Sequence, residues 1–128
     1  MKYYFNKTID IGFEEAVTRA TEELKKEGFG VLTDIDVQET LKDKIGVNFR
    51  KYRILGACNP QFAYLALKNE RRIGTMLPCN IVVQETDDGK VEVAAVDPLA
   101  SMQAVRNADL FDIANEVRDK LGKVIDNL

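Results

Sequence analysis

The chain has 128 residues, 45% of them hydrophobic and 30% charged, which is the composition of an ordinary folded protein and predicts one domain over residues 1–128. Its 18 basic and 21 acidic residues give a net charge of −3 and are interspersed, so no basic stripe of the kind that binds nucleic acid is present and we expect no nucleic-acid partner. The absence of histidine excludes Ser-His and Cys-His catalysis and histidine-containing zinc sites within one chain.

The first third of the chain predicts a strand, a helix and a second strand. Residues 2–9 are rich in aromatic and β-branched side chains, which favour a strand. Apolar residues recur at spacings of three and four from Phe13 to Leu24, and Gly28 stands where the C-terminal cap of such a helix belongs. Apolar and polar residues alternate over 29–37, which is the period of a half-buried strand. Its apolar face is expected to carry Phe29, Val31, Thr33, Ile35 and Val37.

A short helix is predicted over residues 38–45. Its apolar residues, Leu41 and Ile45, lie one helical turn apart, so we expect both to face the core. Gly46 follows as a residue that ends a helix at no steric cost.

A third strand and a third helix meet at one junction. The segment 49–57 predicts a strand with Arg53 and Leu55 on the same face. Asn59 and Pro60 then start a helix, because Asn caps free backbone amides and Pro is tolerated in the first turn, where its missing N–H costs nothing.

The most secure long-range contact is a β-hairpin. Residues 80–85 and 91–96 are both β-prone, and Asp88-Gly89 lies in the turn between them. Asp97-Pro98 ends the second strand, and an irregular or one-turn helical connection follows. The apolar face of a long final helix is then marked by Leu110, Ile113, Ala114, Val117, Leu121, Val124 and Ile125.

These elements predict an α+β fold in which an antiparallel sheet of about five strands carries packed helices. No apolar run approaches membrane-spanning length, and the first seven residues are too short an apolar stretch for a signal peptide. We therefore expect a cytoplasmic protein with no membrane partner. In that compartment the two cysteines, Cys58 and Cys79, are expected to be thiols at rest.

Cys58 is the most unusual candidate for chemistry, because a strand delivers it directly to a helix start. Free amides and the positive end of a helix dipole favour a thiolate at such a position, which predicts a reactive or ligand-binding thiol. The alternative is a small buried hydrophobic residue at the end of a strand.

Cys79 lies at the entry to the hairpin, and each cysteine is followed by an asparagine beside a proline-containing turn. If their strands are neighbours, the two thiols form a redox pair; the alternative is two independent packed thiols. Two thiolates without histidine make a poor metal site, so we expect no metal and no cofactor.

Three ordered motifs, GFGVLTDIDV at 28–37, YRILGACNP at 52–60 and LPCN at 77–80, together with Asp97-Pro98, make the sequence similar to the domain of unknown function 302 family over nearly the whole chain. The resemblance implies a TATA-binding-protein-like fold, with a curved antiparallel sheet and helices on one side, in a protein that forms a homodimer. It implies no established activity. The family motifs fall on the candidate site residues Arg53, Cys58, Asn59, Pro60, Pro78, Cys79 and Asn80.

The leading functional hypothesis is a homodimeric domain that binds a small molecule in the cleft between the sheet and the helix opened by Asn59-Pro60. One alternative is a thiol-based enzyme or redox sensor that uses Cys58 and Cys79. Another is a purely structural dimerisation module. The sequence leaves open whether the protein is an enzyme.

Overall fold

The computed structural model describes residues 2–128. One antiparallel sheet of five strands runs through it in the order β1-β5-β4-β3-β2. The strands are β1 (Tyr4–Ile9), β2 (Gly30–Asp36), β3 (Tyr52–Cys58), β4 (Cys79–Glu85) and β5 (Val91–Val96). The α-helices are α1 (Phe13–Lys26), α2 (Val37–Ile45), α3 (Pro60–Asn69), α4 (Pro98–Ser101) and α5 (Asp109–Asp126), and a short 3₁₀ helix spans Ile73–Met76. The predicted α+β fold with an antiparallel sheet is confirmed.

The predicted hairpin consists of β4 and β5, which pair antiparallel. The pair nearest the turn is Glu85 and Val91. Gly89 in its turn has a φ of +81°, a conformation that only glycine adopts without steric cost. Thr86 closes the turn, because its backbone N–H donates to the Lys90 carbonyl at 2.9 Å.

The core lies between one face of the sheet and helices α1 and α5. Alternate residues of β4 and β5 point into it, and Ile81, Val83 and Val93 are fully buried there. Leu24 of α1 and Leu121 of α5 cover them and are equally buried. Each such side chain contributes about 1.5–3 kcal/mol by leaving water. The helical spacing predicted for α5 is confirmed.

The predicted face of β2 is wrong beyond its first residues. Phe29 is buried as expected, but Thr33 is exposed and Ile35 is 47% exposed. The pairing of β2 with β3 shifts between Val31 and Thr33, which is the signature of a β-bulge. An extra residue in a strand turns every later side chain to the opposite face, so Ile35 leaves the core side.

Helix α2 also departs from its prediction. The side chain of Asp36 caps its N-terminus, because Asp36 Oδ1 accepts a hydrogen bond from the Glu39 N–H at 3.0 Å. The helix ends before Gly46, which has a φ of +68°. It buries none of its residues, and Ile45 is 67% exposed. The main contacts of α2 are with the edge strand β2 and its neighbour β3, and its last residue, Ile45, stays outside the hydrophobic core.

The face of the sheet opposite α1 and α5 carries a row of hydrogen-bonded polar side chains. Arg50 Nε donates to Gln84 Oε1 at 2.9 Å, and Gln84 Nε2 donates to Glu92 Oε1 at 3.1 Å. Asn6 Nδ2 donates to the other oxygen of Glu92 at 3.2 Å. None of the helices in residues 2–128 is long and apolar enough to cross a membrane.

Candidate functional site

A cavity of about 320 Å³ lies between the sheet and helices α3 and α5. The end of β3 and the start of β4 form one wall, since Ala57 is paired with Cys79 and the chain leaves the sheet at both points. Nineteen residues line it: Phe29, Leu32, Ala57, Cys58, Asn59, Phe62, Ala63, Ala66, Leu67, Gly74, Leu77, Pro78, Cys79, Pro98, Met102, Leu110, Ile113, Ala114 and Val117. The cavity lies beside the Asn59-Pro60 helix start, where the sequence analysis expected a ligand cleft.

Asn59 positions the helix that forms the roof of the cavity. Its Oδ1 accepts from the Phe62 N–H at 3.5 Å, which caps α3, and its Nδ2 donates to the Glu27 carbonyl at 3.5 Å. Gly28 permits this approach, because a Cβ there would lie 3.0 Å from Asn59 Nδ2 and φ at Gly28 is +86°. Asn59 thus connects the end of α1 to the start of α3.

Cys79 is the buried thiol of the site. It is 8% exposed, and this burial raises the pKa of the Cys79 thiol to about 11, with the charge of Cys58 as a second and smaller cause. Desolvation dominates because a thiolate at this position has left water without gaining a cation. Cys79 is therefore a protonated, weakly nucleophilic group at neutral pH.

Cys58 is the more accessible thiol. It is partly exposed, it is the last residue of β3, and it is paired with Gly30 of the edge strand β2. Side chains of neighbouring strand residues normally point to opposite faces. Cys58 nevertheless lines the same cavity as Cys79, since the chain turns from β3 into α3 at this residue. Cys58 and Cys79 therefore line one cavity from neighbouring strands.

Arg53 lies away from both thiols. It precedes Cys58 by five residues, which is about 16 Å along an extended strand, and it does not line the cavity. Its guanidinium donates to the two carboxylate oxygens of Asp34 at 2.7 and 2.5 Å and to Glu14 Oε1 at 3.2 Å. The hydrogen bonds from Arg53 lower the pKa of Asp34, and those to Asp34 raise the pKa of Arg53. Arg53 connects α1, β2 and β3 and supplies no charge to the thiols.

The prolines and Asn80 divide between the cavity and its surroundings. Pro78 lines the cavity and follows a cis peptide bond from Leu77, whereas Pro60 is an exposed residue in the first turn of α3. Asn80 is exposed on the face of the sheet opposite α1 and α5 and does not line the cavity. Of the seven predicted site residues, the cavity brings together Cys58, Asn59, Pro78 and Cys79.

Comparison with known proteins shows the family to which the chain belongs. Residues 5–128 match the family model described as Domain of unknown function DUF302. The chain belongs to this family. Its fold is similar to the crystal structure of an uncharacterized conserved DUF302 protein from Bacillus stearothermophilus, with 31% sequence identity, a TM-score of 0.91 and 98% of each chain covered. No curated protein matches the sequence significantly.

The opposite wall of the cavity was not predicted from the sequence. It consists of Met102, which follows α4, and of Leu110, Ala114 and Val117 on α5. The helical spacing marks these α5 residues as buried, and all three are buried in the structure. The same spacing describes a residue that packs on its neighbours and one that faces a cavity, so the pattern holds no signal that separates the two.

The cavity offers apolar surface, two thiols and little else. None of its lining residues is charged, and the only nitrogen- or oxygen-bearing side chain, that of Asn59, is already hydrogen-bonded. Within residues 2–128 no group of three or more His, Cys, Asp or Glu residues is placed to hold a metal ion. The chemistry available is the binding of apolar groups and the chemistry of the Cys58 thiol.

Proposed function

We propose that this DUF302 protein binds a small, uncharged, apolar molecule in the cavity beside Cys58 and Cys79. The supporting observation is the cavity itself, which lies between the sheet and helices α3 and α5 and is lined mainly by apolar side chains. Its volume of about 320 Å³ falls within the range of roughly 300–1,000 Å³ that is usual for ligand sites.

The size of the cavity argues against a packing defect. Protein interiors are close-packed, with few voids larger than a water molecule. In another protein, an engineered apolar cavity of about 150 Å³ stays dry and binds benzene. An apolar space larger than that, beside a well-packed core, is best explained by an occupant.

The lining argues for an uncharged occupant. A carboxylate or phosphate placed in the cavity would meet no cation, because the nearest candidate from the sequence, Arg53, is engaged by Asp34 and Glu14 elsewhere. Burying an unpaired charge is far more costly than burying apolar surface is favourable. A neutral ligand avoids this cost.

The test is binding of the neutral dye 1-aminoanthracene, followed by its fluorescence. The wild-type protein should bind the dye in one saturable phase, and Ala63→Leu, which places a larger side chain in the cavity, should weaken binding about tenfold or more, corresponding to ~1.4 kcal/mol of lost apolar contact. Gln61→Leu adds an apolar side chain to the exposed surface of the same helix and is the matched control. Equal binding by all three proteins would place the dye outside the cavity and contradict the proposal.

A second candidate function, a reversible dithiol–disulfide change, is supported by the position of both thiols on one cavity wall. Cys58 immediately follows the residue opposite Cys79, and in the cytoplasm, the compartment we propose, both would be reduced at rest. Diamide would take up the two protons and two electrons released as the Cys58–Cys79 bond forms. Mass spectrometry should then find an internal disulfide, and formation of only mixed or intermolecular disulfides would reject this function.

We also propose that the protein is a homodimer, with edge strand β2 at the interface. Leu32 and Ile35 on this strand are 68% and 47% exposed, and Ile45 and Val47 add exposed apolar surface beside it. Unpaired edges that carry apolar side chains are usually covered. Light scattering should give a dimer for the wild type and a monomer for Ile35→Glu. The control Phe111→Glu, at another exposed apolar position, should remain dimeric, and a monomeric wild type would reject the proposal.

A further inference from the structure

The thiols of Cys58 and Cys79 are the only ionisable side chains among the described residues that line the cavity of about 320 Å³. The other lining residues are apolar, apart from Asn59, whose carboxamide is already hydrogen-bonded through both its oxygen and its nitrogen. A neutral occupant that reacts in this cavity therefore meets a thiol as its nucleophile.

The two thiols differ in access and in what they lack. Cys58 is partly exposed, so its proton can pass to water. Cys79 is 8% exposed, and within residues 2–128 its thiol has no hydrogen-bond partner. The S–H group of Cys79 is thus a buried donor that lines the cavity without an acceptor. An occupant with an oxygen atom at this wall supplies that acceptor, beside the nucleophile at Cys58.

The spacing of the two cysteines defines the reactive group that meets both. They lie on neighbouring strands, since Ala57, which precedes Cys58, is opposite Cys79. Neighbouring strands are about 4.8 Å apart. A molecule that contacts both thiols therefore carries its electrophilic carbon and its oxygen atom a few bonds apart. In an α,β-unsaturated aldehyde, three bonds separate the electrophilic β-carbon from the carbonyl oxygen.

The lining also selects among the reactions of neutral electrophiles. The chain contains no histidine, and none of the lining residues is charged. Displacement and acyl transfer release a leaving group, which in this cavity would find neither a general acid nor a cation to stabilise it. Conjugate addition of a thiol to an unsaturated aldehyde releases nothing. Of these reactions, it is the one that the lining accommodates best.

We propose that Cys58 captures α,β-unsaturated aldehydes that carry an apolar tail. The tail lies in the cavity toward Leu110 and Ala114, the carbonyl oxygen accepts a hydrogen bond from the Cys79 thiol, and the β-carbon meets Cys58 Sγ. This inference rests on the proposed function, because the tail occupies the same cavity.

The reaction needs no further reactant than water. Cys58 loses its proton to water, and its thiolate forms a C–S bond to the β-carbon as the C=C π bond breaks and the electron pair moves to the carbonyl oxygen. The α-carbon of the resulting enolate then takes a proton from water. One thiol and one aldehyde thus give one thioether.

The experiment treats the protein at pH 8 with trans-2-alkenals from crotonaldehyde to 2-nonenal and follows adduct formation by mass spectrometry with peptide mapping. Each adduct should add the full mass of one alkenal at Cys58, at a rate that rises about fourfold for each methylene group that enters the cavity. Glutathione, a thiol without a cavity, should react at a rate that does not depend on chain length. Ala63→Leu should keep the rate for crotonaldehyde and lose the gain for 2-nonenal, whereas the control Gln61→Leu should follow the wild type.

Two variants test the part given to Cys79. Cys79→Ser retains a hydrogen-bond donor and should keep the rate at Cys58, whereas Cys79→Ala removes the donor and should slow the reaction several-fold at every chain length. Equal rates in these two variants would overturn the position assigned to the carbonyl oxygen. Adducts that form on Cys79 in preference to Cys58 would overturn the whole inference.

The outcomes separate this inference from the proposed function. If 1-nonanol displaces 1-aminoanthracene but Cys58 reacts with all alkenals at one rate, as glutathione does, the inference is overturned and the proposed function is not. If 1-nonanol displaces no dye and the alkenals show no effect of chain length, both are overturned. If Ala63→Leu fails to give a cooperative thermal transition, the comparison of wild type with glutathione across the series decides alone.

Discussion

The environment of Cys79 predicts that this thiol is protected from alkylation in the folded protein. With a pKa of about 11, about 1 in 1,000 molecules carries the Cys79 thiolate at pH 8. A free thiol with a pKa of about 8.5 is about one quarter ionised at that pH. Ionisation alone therefore slows the reaction of Cys79 with iodoacetamide by roughly two hundredfold relative to the unfolded chain, and its burial adds to this factor.

The assay uses Cys58→Ser, in which Cys79 is the only thiol, labelled with iodoacetamide at pH 8 with and without urea and followed by mass spectrometry. Cys79→Ser measures Cys58 in the same way. We expect Cys58 to react faster in the folded protein, because it is more accessible and directly precedes the start of α3, whereas Cys79 leads into β4. Folded-state labelling of Cys79 within about tenfold of the urea rate, or faster than that of Cys58, would refute the desolvation argument.

Three further predictions concern stability. The pKa of Cys79 is raised in the folded state, so the contribution of this thiol to the free energy of unfolding is complete below the unfolded pKa of about 8.5 and is lost as pH rises toward 11. Urea unfolding should show that the free energy of unfolding falls by up to roughly 3 kcal/mol over that pH range, and Cys79→Ala should remove this pH dependence. Gly56→Ala should lower the free energy of unfolding by about 1–3 kcal/mol, because the new Cβ would overlap Thr33 and lie 2.8 Å from Pro78 Cγ. The control Gly30→Ala, with open space around the new Cβ, should change stability far less, and equal effects of the two substitutions would contradict this argument. Asn59→Ala should cost about 0.5–2 kcal/mol in thermal or urea unfolding through loss of the α3 cap, and an unchanged midpoint would show that the cap is not stabilising.

The elements that the sequence predicted well are those whose signal is local. Asp88-Gly89 identifies the hairpin turn because few other dipeptides accept its conformation, and Asn59-Pro60 starts α3 through capping of its own backbone. The regular spacing of Leu110, Val117 and Leu121 reports a buried helix face. Each of these predictions depends on residues within a few positions of one another.

The features that were missed depend on contacts between distant segments. The bulge in β2 is set by how that strand pairs with β3, so the reversal at Ile35 has no local signal. Arg53 belongs to an ion-pair network because α1 brings Glu14 to it, which the strand sequence does not reveal. Ala114 has the same helical spacing whether it packs on a neighbour or faces a cavity. Motif positions thus indicated a corner of the fold that contains a cavity, but not the shape of that cavity.

The most direct test of ligand binding in the cavity is an NMR titration of isotope-labelled protein with unlabelled decanol. Intermolecular NOEs should connect the methylene protons of decanol to Phe62 on α3 and to Ala114 and Val117 on α5, all of which line the cavity. The absence of chemical-shift changes up to the solubility limit of decanol, or NOEs confined to Tyr4, Tyr52 and Val82 on the face of the sheet opposite α1 and α5, would contradict the account.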